Sequence, residues 1–130
     1  IIMSKNNLIV DSNILIYSYK PEFAWLQQQL FSYRLYASAI TKIESLGYHL
    51  LTDKDEQILI KLFDLFEILP INDKVIEIAV ELRQQKKMSL GDSIIASTAL
   101  VYDLPLMTRN NKDFEWVNGL EIINPFDESL

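Results

Sequence analysis

Leu8-Ile9-Val10-Asp11-Ser12-Asn13 is an apolar run that stops abruptly at an acid, followed by a hydroxyl residue and an amide. The run reads as a buried strand. It delivers the Asp11 carboxylate to its C-terminal end, the place where open α/β sheets keep their ligands. The remaining residues either bring other acids to that end or leave Asp11 as a lone helix cap.

Downstream, short apolar strands alternate with amphipathic helices. Ile14 to Tyr17 is expected to form a first helical turn capped by Ser12 or Asn13. Pro21 suits a helix N1 position, with Phe23, Leu26 and Leu30 at helical spacing. Leu35-Tyr36-Ala37 is a second strand, after which Ser38 caps a helix expected over Ala39 to Leu51. In that helix Ile40, Ile43, Gly47, Leu50 and Leu51 share one face, and Glu44 falls on their side. Thr52 and Asp55 form a capping box for a helix whose inner stripe is Ile58, Leu59, Leu62, Phe63 and Phe66. A short strand, Glu67 to Ile71, leads to an Asn72-capped helix reaching Lys87, with Val75, Ile78, Ala79 and Leu82 inward and Asp73, Glu77 and Glu81 outward. Ser89 caps a helix from Leu90 to Tyr102 that is apolar almost all round and therefore buried. Leu104 to Thr108 and Leu120 to Ile123 supply two more strands, separated by the polar run Arg109-Asn110-Asn111-Lys112-Asp113. This alternation predicts an α/β three-layer sandwich with a mainly parallel central sheet. A single domain over 1–130 is expected, with Ile1 and Ile2 read as a cloning remnant before a natural start at Met3.

Composition narrows the chemistry. With 49% apolar residues, 3 Gly and 4 Pro in 130 residues, the chain has the makings of a packed core. There is no Cys and one His, His49, which removes thiolate nucleophiles, Cys-ligated zinc, disulfides and His-rich metal sites. The absence of Cys also fits a reducing compartment, and a cytoplasmic location is expected. No apolar run reaches the roughly 18 residues of a membrane span. The net charge of −6 argues against a broadly basic nucleic-acid surface, unless several acids are gathered on bound cations that invert the local field.

Three acids break the burial pattern: Asp11 at the end of a core strand, Glu44 on an inward helix face, and Asp92 on the all-apolar helix. Singly, each has an ordinary explanation, as a cap, a snorkelling side chain or a dipole partner. Together they are costly, because an unpaired buried carboxylate loses several kcal/mol of solvation and neighbours repel. One cationic site explains all three. An all-oxygen donor set selects Mg2+ or Mn2+, one or two ions, and with them the hydrolysis of a phosphodiester.

At this point the sequence resembles the PIN-domain nucleases, and within them the VapC-like toxins of toxin–antitoxin pairs. The likeness runs from Leu8 to about Ile123. Leu8 to Asn13 is similar to the family's opening strand and Asp-Thr-Asn, with Ser12 in place of the commoner Thr. Ser38-Ala39-Ile40-Thr41-Lys42-Ile43-Glu44 resembles its second motif, Leu90-Gly91-Asp92-Ser93-Ile94-Ile95-Ala96-Ser97-Thr98-Ala99 its third, and Leu106 to Phe114 its last. The resemblance implies a Mg2+- or Mn2+-dependent endoribonuclease with Asp11, Glu44 and Asp92 holding metal. Asp113 would be the fourth acid, and Asn110 is a second candidate for that place. Ser12, Asn13, Thr108 and Asn110 would be supporting polar groups. Products with a 5′ phosphate and a 3′ hydroxyl, a homodimer, and inhibition by a cognate antitoxin more basic than this acidic chain are further implications. Lys42, Arg109 and Lys112 lie beside motif residues and are candidates for holding RNA phosphates.

Other acid-rich folds fit less well. A haloacid-dehalogenase-type phosphatase needs an Asp where this chain has Asn13, and a receiver domain needs an adjacent acidic pair after its first strand. The rival from another class is a catalytically silent PIN-like module that binds RNA or a protein.

Overall fold

The computed structural model describes residues 6–126. Five strands form one sheet: β1 (Asn6–Val10), β2 (Tyr33–Ser38), β3 (Glu67–Leu69), β4 (Leu106–Met107) and β5 (Ile122–Ile123). Their order is β3-β2-β1-β4-β5 and every pairing is parallel. Parallel neighbours require crossovers, and the helices supply them: α1 (Ser12–Ser18), α2 (Ala24–Leu30), α3 (Ala39–Leu46), α4 (Asp53–Phe63), α5 (Asp73–Gln85), α6 (Leu90–Val101) and α7 (Asn111–Phe114).

The three layers follow from the alternation along β1. Leu8 and Val10 point to one side, into a core with Ile14, Leu26, Leu59 and Phe63 of α1, α2 and α4. Ile9 points to the other, against Leu82 of α5 and Ile95, Ala96 and Ala99 of α6. All three β1 residues are fully buried, which is why the stretch is uninterrupted hydrocarbon rather than alternating. The chain winds outward from β1 through β2 to β3, then returns to the far side of β1 with β4. This reversal opens a crevice beyond the C-terminal end of β1, the usual ligand position in such sheets. Asp11 immediately follows β1 there, its N–H donating to the Met107 carbonyl at 3.2 Å.

Most expected caps are present. Ser38, Thr52, Asn72 and Ser89 each accept a hydrogen bond from a first-turn N–H of the helix they precede. The cap of α1 is different from the expectation. Asp11, rather than Ser12 or Asn13, is the N-cap, its Oδ1 accepting from the Ile14 N–H at 2.9 Å.

The second correction concerns α3. It ends at Leu46, with Gly47 as C-cap, and not at Leu51. Its buried residues are Thr41 and Ser45, and Ile40, as expected, and Leu46 pack partly buried against the cores, while Ile43 is 62% and Leu50 65% exposed. Carrying the helical period through Gly47 put Leu50 and Leu51 on a helix that ends before them; Leu51 still packs against the core, whereas Leu50 is exposed. The two buried positions of α3 are small and polar, on a helix that meets α1, α4 and α6. Glu44 is correspondingly exposed rather than turned into the core. Residues 111–114, read from sequence as part of a polar loop, form the short helix α7. Ile1 and Ile2 lie outside the described residues.

Candidate active site

Local structure brings the site together at the C-terminal ends of β1, β2 and β4. Asp11 follows β1, Ser38 ends β2 and starts α3, which carries Glu44, and Thr108 follows β4. Asp92 is in the first turn of α6, whose cap Ser89 accepts from the Asp92 N–H at 3.1 Å. A depression of about 240 Å3 is lined by Asp11, Ser12, Asn13, Glu44, Ser45 and Asp92. The structure therefore places three acids, separated by up to 81 positions in sequence, in one concavity.

Asp11 is the most deeply set of the acids, with 6% of its surface exposed. Burial pushes its carboxyl above the ordinary value of 3.8, and the negative charge of Asp113 adds to the rise. Hydrogen bonds from the Thr108 side chain and from the Ile14 and Asn13 backbones oppose it without prevailing. Asp92 is raised as well, first by burial and then by Asp113, with smaller contributions from Asp11 and Glu44 and a counteracting hydrogen bond to Ser89. Asp92 thus senses all three other acids.

Asp113 does not line the depression. It stands on α7, exposed, in an adjoining groove that it shares with Asp92, and its Oδ2 accepts from the Asn110 side-chain amide at 2.6 Å. Asn110 is in turn held by its backbone N–H, which donates to Thr108 Oγ1 at 3.0 Å. Ser12 donates its hydroxyl to Glu44 Oε1 at 3.2 Å. Of the expected polar supports, Ser12, Thr108 and Asn110 each touch one acid directly, while Asn13 meets Asp11 through its backbone.

None of these acids has a cationic partner among the described residues, where the one ion pair is Lys74 with Glu77. A buried carboxylate without a counter-charge, as at Asp11, is costly, and a bound cation would offset that cost. Ser45 Oγ, buried and without a hydrogen-bond partner, borders the same depression. The donor set is carboxylate, hydroxyl and amide oxygen, which suits Mg2+ or Mn2+ and no softer ion. Among the described residues no three acid side chains stand close enough to share an ion directly. Mg2+ is commonly bound through one or two carboxylates with waters completing its shell, so the residues fit that cation without a closed protein cage.

Gly91 was not singled out from sequence. A Cβ at this position would lie 2.5 Å from Glu44 Oε2, so the α3 acid rests where any side chain on α6 would stand. Gly91→Ala is expected to displace the Glu44 carboxylate and weaken Mn2+ binding about tenfold or more. Because the atom met is the mobile end of a side chain, stability should hold or rise by up to about 1 kcal/mol from helix propensity. Calorimetric Mn2+ titration beside thermal melting separates the two effects.

The basic candidates fare differently. Lys112 lines the groove shared by Asp92 and Asp113. Lys42 is exposed on α3 and lines neither concavity. Arg109 is stacked against aromatic rings, 4.2 Å from the Phe126 centroid and 5.3 Å from that of Tyr17. Its guanidinium covers an edge-to-face cluster of Tyr17, Phe23, Trp25 and Phe126, and Arg109 lines neither concavity. Sequence reasoning missed Lys86 and Lys87, which line the Asp92 and Asp113 groove. The available signal was a dibasic pair with one residue between it and the Ser89 cap.

Residues 8–120 match the PIN domain, and the chain belongs to that family. Within it the chain is VapC-like. It is 32% identical to Ribonuclease VapC1 of Methanocaldococcus jannaschii over 126 residues, covering 91% of this chain and 88% of the relative. Ribonuclease VapC2 of the same organism is 27% identical over 142 residues, covering 93% and 95%. Among solved structures, a toxin–antitoxin complex from Klebsiella pneumoniae contains a chain 32% identical, with a TM-score of 0.73, covering 93% of this chain and 99% of its own.

Proposed function

We propose that this chain is a Mg2+- or Mn2+-dependent endoribonuclease and the toxin of a toxin–antitoxin pair. The observation that carries the reading is the buried Asp11 carboxylate, without an ion-pair partner among the described residues and sharing one depression with Glu44 and Asp92. The similarity to Ribonuclease VapC1 and to a toxin–antitoxin complex supports it.

In this reading Asp11, Glu44 and Asp92 hold the cation between them, one or two by direct contact and the rest through its waters, and Asp113 adds negative charge from the rim. The bound ion would supply positive charge that activates a water and stabilises the leaving oxygen of a phosphodiester. Ser12 fixes one oxygen of Glu44 and leaves the other directed toward Gly91. Thr108 holds the Asp11 carboxylate against burial, and Asn110 holds Asp113. These hydrogen bonds set the ligands before any ion arrives, which limits reorganisation on binding.

A cleft of about 340 Å3 beside Glu44, with Ile16, Tyr19, Tyr48 and Leu50 in its walls, suits an antitoxin segment that brings apolar side chains and a basic one to the acids. A homodimer, a cytoplasmic location and a single domain over 1–130 belong to the same proposal. Among the described residues no helix is long and apolar enough to cross a membrane.

The test is incubation of the purified chain with RNA in Mn2+ or Mg2+, with and without EDTA, followed by end-group analysis. Cleavage that needs the ion and leaves 5′ phosphates is the expected result. A wild type that binds Mn2+ and leaves RNA intact would indicate the silent binding module instead.

A further inference from the structure

Asp92 lines both the depression holding the acids and a second groove, of about 490 Å3, that Asp113 borders. Three lysines line this groove: Lys86 and Lys87 just after α5, and Lys112 on α7. In a chain of net charge −6 with 12 Lys and Arg in all, three lysines against two acids leave this groove with a balance opposite in sign to that of the whole molecule. None of the three forms an ion pair with a carboxylate among the described residues, although Asp92 and Asp113 line the same groove.

Trp116 organises this arm. Its Nε1–H donates to the Asp113 carbonyl at 2.9 Å, fixing the indole to α7, and Lys86 Nζ lies 5.7 Å from the ring centroid. A cation–π contact of this kind holds the ammonium over the groove without neutralising it. The groove thus combines positive charge on flexible stems with an aromatic wall, the combination that binds single-stranded nucleic acid. Its link to the acids is Asp92, which lines both concavities.

We infer that Lys86, Lys87 and Lys112 form a phosphate track, which holds single-stranded RNA on the Asp92 flank of the scissile phosphate, alongside Trp116. The inference rests on the ribonuclease reading for the substrate but not for the surface. Arg109 has no part in the track, its guanidinium being engaged with Tyr17 and Phe126. Three cations stand on the Asp92 side of the acids, whereas the cleft on the Glu44 side has one, Lys20.

The test is fluorescence anisotropy of a labelled, unstructured single-stranded RNA across a salt titration, in EDTA so that binding is read apart from hydrolysis. The triple variant Lys86→Ala, Lys87→Ala, Lys112→Ala is expected to lose about tenfold or more in affinity. Its log K against log salt slope should shrink by about 2, from three lost contacts at roughly 0.7 each. Lys54→Ala with Lys61→Ala on the exposed face of α4 should change neither, and melting curves should coincide because all five side chains are exposed. Unchanged affinity and slope in the triple variant would overturn the track, as would an equal loss in the α4 variant or no RNA binding by the wild type. An acidic peptide competing as well as RNA would overturn it too, marking the groove as a protein-docking surface. Wild type that cuts RNA while the triple variant binds normally removes the track alone. Lysine-dependent binding without cleavage in Mn2+ removes the nuclease reading and leaves the track standing.

Discussion

Asp92→Asn is expected to lower RNA hydrolysis by at least about a hundredfold while the fold persists. The substitution keeps the shape of the side chain and removes its charge. Asp92 stands where α6 begins, and the groups that frame it remain in place: the Ser89 hydroxyl still accepts from the residue 92 N–H, and α6 is still buried along Ile94, Ile95, Ala96 and Ala99. The loss is electrostatic, because Asp92 is the acid that borders both the depression and the lysine-lined groove. Gel-resolved cleavage in Mn2+ checks the first half and circular dichroism with thermal melting the second. Wild-type activity in this variant would remove Asp92 from the site.

Asp11→Asn is expected to have two effects of opposite sign. It should abolish ion-dependent activity, and it should raise the stability of the ion-free protein by about 1–3 kcal/mol, the scale of relieving one buried charge. The cap is retained, since Asn caps helices as well as Asp does. The stabilisation should depend on pH. Burial raises the Asp11 carboxyl in the folded state above its ordinary 3.8, so between those two values the folded protein binds more protons than the unfolded one. Wild-type stability is therefore greatest, for this group, below 3.8 and is lost as pH rises through the folded value. The advantage of Asp11→Asn in denaturant melts should be full at neutral pH and shrink on acidification. Asp92, raised in the same direction, should show a similar trend against its own Asn variant. Added Mn2+ should stabilise wild type more than Asp11→Asn.

How much of this was legible beforehand depends on the physical scale of each feature. β1 was readable because a strand buried on both faces must be continuous hydrocarbon, and Leu8-Ile9-Val10 is that. Ser38, Thr52, Asn72 and Ser89 were readable because capping is local, a hydroxyl or amide reaching an N–H two or three residues on. The buried positions of α3 were not, because Thr41 and Ser45 are small and polar and add nothing to a hydrophobic period. Glu44 was assigned to the site on the premise that it is buried, yet it reaches the depression from an exposed position, fixed by Ser12 and by the clearance at Gly91.

The cap of α1 was misassigned because one carboxylate was given one task. Asp11 accepts the Ile14 N–H and retains lone pairs for the depression, so cap and candidate ligand are the same side chain. α7 was invisible because a helix of four residues has no period to detect. Lys86 and Lys87 gain meaning only when the end of α5 is brought beside Lys112 and Trp116, a juxtaposition that tertiary structure alone supplies.

The central claim is that these acids form one divalent-cation site, and Mn2+ titration calorimetry on the wild type and on Asp11→Asn, Glu44→Gln, Asp92→Asn and Asp113→Asn tests it most directly. Saturable binding in wild type, weakened at least about tenfold by each of the first three changes and less by Asp113→Asn, is the expected result. Binding of equal strength in wild type and Asp11→Asn would contradict it.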